Sequence, residues 1–194
     1  MLRLKLPTDP RWVNIAEKNI EEILTDHAFC EQKAASYAIS LIILYPECSD
    51  LVEAMAALAR EEMEHFQMVH EKILQRGLVL GRERKDPYVN DLMQFFKKGT
   101  SREKGLVNKL LLAAMIEARS CERFRVLSEN IKDKELADFY AFLMKSEATH
   151  YAMFLKFARK YGENLVDVET LWQDFLAYEA QIMTNYGKKE LIHG

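Results

Sequence analysis

Glycine and proline are scarce in this chain, seven and four among 194 residues. So few breakers argue against a β-sandwich with its frequent turns and for long uninterrupted helices. Cysteine is scarcer still. Cys30, Cys48 and Cys121 are odd in number and include no C-x-x-C pair, which points away from a disulfide framework and from a rubredoxin-type iron site. Excess charge is also missing: a formal net charge of −3 excludes a globally basic nucleic-acid protein, though not a local basic patch. No apolar run reaches membrane-spanning length, and the opening Met1-Leu2-Arg3-Leu4-Lys5-Leu6-Pro7 lacks the apolar stretch of a signal peptide, so a cytoplasmic location is expected. What is present is apolar content, 49% of residues, enough for one buried core and a single domain over 1–194.

Hydrophobic periodicity and end signals predict the helices. Asp9-Pro10 opens a short lead helix through about Leu24. Thr25 or Asp26 can cap the next, which runs to about Leu44 before Tyr45-Pro46. Ser49-Asp50 caps another that continues to Arg76 and stops at Gly77. Further helices are expected from about Lys104 to Asn130, Asp133 to Tyr161 and Asn164 to Tyr186, with a frayed tail over 187–194.

Steps of three and four residues keep side chains on one helical stripe. The four stripes are Leu24, Ala28, Glu31, Ala35, Ala38, Ile42; then Leu51, Met55, Leu58, Glu62, His65, Val69, Ile73; then Leu106, Leu110, Ala113, Glu117, Ser120, Phe124, Leu127; and last Leu136, Tyr140, Leu143, Glu147, His150, Phe154, Phe157. Each is mostly apolar and each is interrupted by Glu or by Glu-x-x-His. The order repeats: Glu31 precedes Glu62 and His65, and Glu117 precedes Glu147 and His150. Glu31 and Glu62 lie 31 residues apart and Glu117 and Glu147 30 apart, with the two sets offset by 86 and 85. A single Glu-x-x-His is most often a solvated pair; two of them, with two lone glutamates at matching spacing on core stripes, are not. Four carboxylates in an apolar interior demand protons or cations. Two divalent ions balance them, and the arrangement is the one that ferritin-like di-iron and di-manganese proteins use. Oxygen-rich ligation with one imidazole per ion suits iron or manganese over zinc or copper. In the usual arrangement of such sites Glu62 and Glu147 bridge, while Glu31 with His65 and Glu117 with His150 are terminal. The expected fold is therefore all-α: a ferritin-like four-helix bundle with one long crossover and additional N- and C-terminal helices.

The crossover separates Glu62 from Glu117 by 55 residues. Inside it Asp86-Pro87 can start a short helix through Phe96. From Arg76 to Lys104 it holds eight basic residues against four acids. Arg82, Arg84, Lys85, Lys97 and Lys98, with Tyr88, Phe95 and Phe96 among them, form a candidate surface for a nucleic-acid backbone and a stacked base. The bland reading is a solvated link whose aromatics pack on the bundle, and the charges alone favour that one. Glu61, Glu64 and Glu122 fall off the stripes and read as surface or ligand-supporting groups. His27 reads likewise, His70 and His193 carry no signal, and Tyr140, Cys30 and Cys121 read as packing. No flavin or nicotinamide fingerprint is visible, so electrons for oxygen chemistry have to come from an external reductase.

Longer segments carry a resemblance. They are Leu4-Lys5-Leu6-Pro7-Thr8-Asp9-Pro10-Arg11-Trp12-Val13, Asp26-His27-Ala28-Phe29-Cys30-Glu31-Gln32-Lys33-Ala34-Ala35, Glu61-Glu62-Met63-Glu64-His65-Phe66, Glu117-Ala118-Arg119-Ser120-Cys121-Glu122-Arg123-Phe124 and Ser146-Glu147-Ala148-Thr149-His150-Tyr151. Through them nearly the whole chain resembles the bacterial tRNA hydroxylases that act on 2-methylthio-isopentenyl-adenosine beside the anticodon, the MiaE-like family. The resemblance implies an O2-dependent, non-haem di-iron monooxygenase with a tRNA substrate and a reductase or ferredoxin partner. No catalytic residue beyond the six ligands is implied. The rival readings are a ferritin-like iron-storage, peroxide-scavenging or oxidase protein that does not act on tRNA, and a non-enzymatic helical tRNA-binding module.

Overall fold

The computed structural model describes every residue except Met1, Asp86, Gly187, Lys188, Glu190 and Gly194. Among the described residues there are seven helices and no strand: α1 Trp12–Lys18, α2 Ile20–Leu44, α3 Ser49–Gln75, α4 Pro87–Met93, α5 Arg102–Asn130, α6 Lys134–Gly162 and α7 Val168–Met183. None is long and apolar enough to cross a membrane. The chain forms two compact units, one of residues 18–85 with 190–192, the other of 1–17, 86–189 and 193–194.

In the first unit α2 packs on α3 as a helical hairpin. The lead helix predicted to reach Leu24 breaks at Asn19, whose backbone leaves the helical region (φ −134°, ψ 46°), and α2 starts at Ile20. Thr25 and Asp26 are consequently not caps. Both are buried inside α2, where the Thr25 hydroxyl accepts from Gly81 N at 3.2 Å and Asp26 Oδ2 accepts from Ile192 N at 2.7 Å. The predicted stripe of α3 is its buried face residue for residue. In α2 the stripe ends on Leu41, and Ile42 is half-buried. α3 ends in a Schellman motif: Gly77 takes φ +69°, its N–H bonds Leu74 O at 2.9 Å, and Leu78 N bonds Ile73 O at 3.1 Å.

In the second unit α5 and α6 form the corresponding hairpin, with α4 and α7 packed beside it. Three of its helices begin on side-chain caps. Ser101 accepts from Lys104 N, Asp133 from Leu136 N and Asp167 from Thr170 N, each satisfying an otherwise orphaned helix N–H. The expected stripe of α5 is buried, but so are Val107, Leu111, Leu112, Ala114, Met115, Arg119, Glu122, Arg123 and Val126, so this helix is covered around its whole circumference. α4 stops at Met93, short of the expected Phe96, and α7 is shorter than predicted at both ends; the expectation at Asp86 falls outside the described residues.

The tail is not frayed where it is described. Leu191, Ile192 and His193 are buried, and Lys189 O accepts from Trp12 Nε1 at 3.1 Å. His193, silent in the sequence, hydrogen-bonds Ser120 Oγ through Nε2 at 2.9 Å and stacks on Tyr88.

Candidate metal centre

Each hairpin buries one half of the predicted ligand set. In the first unit α2 supplies Glu31, and α3 supplies Glu62 and His65 one turn apart; all three are buried. One ligand atom from each lies within 4.8 Å of the others. His65 Nδ1 is 3.2 Å from Glu62 Oε2. His27, one turn before Glu31 and fully buried, places Nε2 2.7 Å from Glu31 Oε1. A hydrogen bond of that kind fixes the orientation of a carboxylate and its basicity. Glu61 is half-exposed, its carboxylate 3.9 Å from His65 Nε2, and Glu64 is exposed.

The second unit repeats this. Glu117 comes from α5, Glu147 and His150 from α6, all three buried and again within 4.8 Å of one another by one ligand atom each. His150 Nδ1 lies 3.9 Å from Glu117 Oε2. The repeat is not perfect: the place of His27 is taken by Ala113, which has no polar side-chain atom. The donor set of each triad, two carboxylates and an imidazole in an apolar interior, fits one hard-to-borderline divalent cation.

Beside Glu117, α5 carries a buried polar cluster that the one-sided stripe did not anticipate. Arg119 is fully buried; its guanidinium donates to Glu179 (2.5 and 3.0 Å), to Glu122 (3.1 Å) and to Leu6 O (3.1 Å). Glu122, expected at the surface or near a ligand, is buried instead and accepts from Thr8 N and Thr8 Oγ1, pinning the N-terminal segment to α5. Arg123 is equally buried, stacks 4.2 Å over the Trp12 ring, and has no hydrogen-bond acceptor for any guanidinium nitrogen. Burial and the neighbouring Arg119 charge push its pKa down to about 10. The signal available in the sequence was the density of charge on a helix with no polar face. Tyr140 is buried against Phe124 and Phe139, and the Cys121 thiol is pushed up to about 11 by burial and by the Glu117 carboxylate, as suits packing residues.

The crossover residues Arg82, Lys85, Lys97 and Lys98 are exposed and Arg84 is half-buried. The aromatics among them do not present themselves to a base. Tyr88 is fully buried and its hydroxyl donates to Glu179 at 3.0 Å, while Phe95 and Phe96 stack on Phe175, and Phe95 also meets Tyr178. The bland reading of these rings holds.

Similarity to known proteins extends over nearly the whole chain. The family model described as tRNA-(MS[2]IO[6]A)-hydroxylase (MiaE) matches residues 2–194. A Pseudomonas putida protein called tRNA 2-(methylsulfanyl)-N(6)-isopentenyladenosine(37) hydroxylase is 41% identical over 160 residues, covering 82% of this chain and 77% of its own. A Salmonella typhimurium protein of the same name is 27% identical over 245 residues, covering 98% and 87%. Among solved structures, a Synechococcus protein with aldehyde deformylating oxygenase activity superposes with a TM-score of 0.86 at 31% identity, over 98% of this chain and 95% of that one. The fold is thus the all-α, ferritin-like one expected from the stripes.

Proposed function

The chain belongs to the tRNA-(MS[2]IO[6]A)-hydroxylase (MiaE) family, and from that premise we propose that it hydroxylates the isopentenyl group of 2-methylthio-isopentenyl-adenosine beside the anticodon of tRNA. On this reading the two compact units act as one ferritin-like domain that holds two iron ions. The observation that carries it is the pair of buried Glu, Glu, His triads, one on each hairpin at matching positions. Four carboxylates need two divalent charges to be tolerated in an apolar interior, and the six side chains offer a first coordination sphere for two ions. Glu31, Glu62 and His65 with Glu117, Glu147 and His150 would hold the two ions. His27 holds Glu31 in place through its 2.7 Å contact.

When bound, the two iron ions supply the activation of O2 that an unactivated C–H bond requires. The overall reaction converts C–H, O2, two electrons and two protons into C–OH and water. The electrons come from a separate reductase or ferredoxin. The protein's share is to keep bulk water away with the apolar residues that flank each triad, Leu58, Val69, Leu143 and Phe154 among them, and to hold the substrate. Exposed Arg82, Lys85, Lys97 and Lys98, with Arg84, are candidates for phosphate contacts, which position a nucleic acid without reading its sequence. The likeness to a protein with oxygenase activity supports O2 chemistry on this fold.

The test is direct. Protein reconstituted with ferrous iron, given O2, a reductase system and tRNA lacking the hydroxyl group, should yield the hydroxylated nucleoside on mass spectrometry. Anaerobic titration should saturate at two iron ions per chain, and Glu62→Ala or Glu147→Ala should disturb both. Saturation at one ion ends the dinuclear reading. Oxygen uptake with unaltered tRNA would instead leave a ferritin-like oxidase that does not act on tRNA.

A further inference from the structure

α6 carries Glu147 and His150 on its buried side, and its solvent side is unusual for this chain. Between Asp138 and Glu163 the exposed positions are Phe142, Lys145, Ala148, Thr149, Ala152, Lys156, Arg159 and Lys160. At about 100° per residue they fall within an arc of roughly 120°, opposite the two ligands. Exposed Asp138 and Glu163 stand on the same arc and bound the strip at its two ends; between them no acid lies on it. Other exposed helix faces carry acid–base pairs, such as Arg60 with Glu64 and Arg125 with Glu129, and the chain as a whole has more acids than bases. Arg159 is the exception on the strip, since Glu169 neutralises it at 2.6 Å. Lys145 and Lys156 have no acidic partner, and they stand about 16 Å apart along the helix, with only Ala and Thr between them on the exposed face. Those small side chains let a polymer backbone lie close to the helix while lysines reach it from both ends. Phe142, 53% exposed at the strip's N-terminal end, is the one aromatic ring among the exposed large apolar side chains of the described residues. The Tyr151 hydroxyl donates to Leu2 O at 3.5 Å, which brings the N-terminal segment with exposed Arg3 alongside the same helix.

We infer that this strip of α6, Phe142 through Lys160, is a docking surface for the phosphate backbone of the tRNA, with Lys145 and Lys156 as its principal contacts and Phe142 as a stacking ring at its edge. The partner is a polyanion because the unneutralised charges between Asp138 and Glu163 on this face are all positive, in a net-acidic chain. An extended nucleic acid suits it because the charges are spread along a line instead of gathered into a pocket. Contacts here orient the substrate from the outside of the helix whose inside carries the ligands, and they carry no sequence information. The inference rests on the tRNA reading above.

Binding to hypomodified tRNA is measured by fluorescence anisotropy at several salt concentrations, with the iron-loaded protein. Lys145→Glu combined with Lys156→Glu should raise Kd on the order of tenfold or more and reduce the salt slope by roughly 1.4–1.8, two phosphate contacts' worth. Iron content and melting temperature should stay at wild-type values, since both positions are exposed. A control of equal charge change off the strip, Lys18→Glu with Arg60→Glu, should shift Kd much less. Phe142→Ala should weaken binding without changing the slope. The inference is overturned if the double variant binds as wild type does, or if the control weakens binding equally, which would mean that only the general field matters. Wild-type protein is measured first: if it neither binds nor modifies tRNA, the tRNA reading itself fails, whereas wild-type turnover with an unaffected double variant sinks the α6 surface alone.

Discussion

At the scale of single residues, the two buried arginines of α5 make a natural experiment. Arg119 is tied to Glu179 and Glu122, so Arg119→Met strands two carboxylates and should cost about 3–5 kcal/mol. Arg123 has no acceptor, and its stack on Trp12 returns only about 0.5–2 kcal/mol against the cost of burying the charge. Arg123→Met should therefore leave stability within about 1 kcal/mol of wild type or raise it. Urea unfolding of both variants checks the contrast, and equal losses would show that Arg123 has a partner the contacts do not reveal. The six buried Glu and His positions were legible in the sequence because they interrupt apolar stripes at repeated spacing. The arginines were not, because a periodicity argument sends charge to water, and nothing in the local pattern says that α7 will bring Glu179 to meet Arg119. Glu122 was misplaced for the same reason.

At the scale of elements, end signals were read well at some ends and not at others: Thr25 and Asp26 lie inside α2, and Ser49 is the first residue of α3, whose N-cap Cys48 makes no side-chain hydrogen bond. Asp133 and Gly77 do what their side chains or lack of them predict. The break at Asn19 was missed, since the apolar pattern runs through it, and the buried tail was missed because Leu191 and Ile192 are too short a run to register. Gly162, the last residue of α6, has a tertiary reason the sequence could not show: a Cβ there would sit 2.3 Å from Val168 Cγ2 at the start of α7. Gly162→Ala should cost about 1–3 kcal/mol by overpacking. Adding Val168→Ala should recover part of that loss in thermal melts, and if it does not, the clash lies elsewhere.

For the whole molecule, the resemblance covers the chain from end to end, and the structure holds two compact units, each with its own hairpin and its own triad. Stripe patterns could not show this division, because they assign faces to helices without saying how tightly each pair closes. If the triads hold cations, each cation stabilises the unit whose carboxylates it neutralises. Removing them with a chelator should lower the melting temperature while the far-ultraviolet circular dichroism stays helical. Restored iron at about a thousandfold over its Kd should return about 4 kcal/mol. An apo protein that melts where the iron-loaded protein does would separate the triads from metal binding.

The division has a further meaning in time. The first triad is complete once His65 is made, the second only at His150, 85 residues later. At about 5–20 residues per second that is roughly 4–17 s of synthesis during which a nascent hairpin offers three donors and no counterpart. On the proposed reading, a divalent ion captured in that interval would meet one triad alone, so the choice of metal would belong to the finished chain and not to the ribosome-bound one.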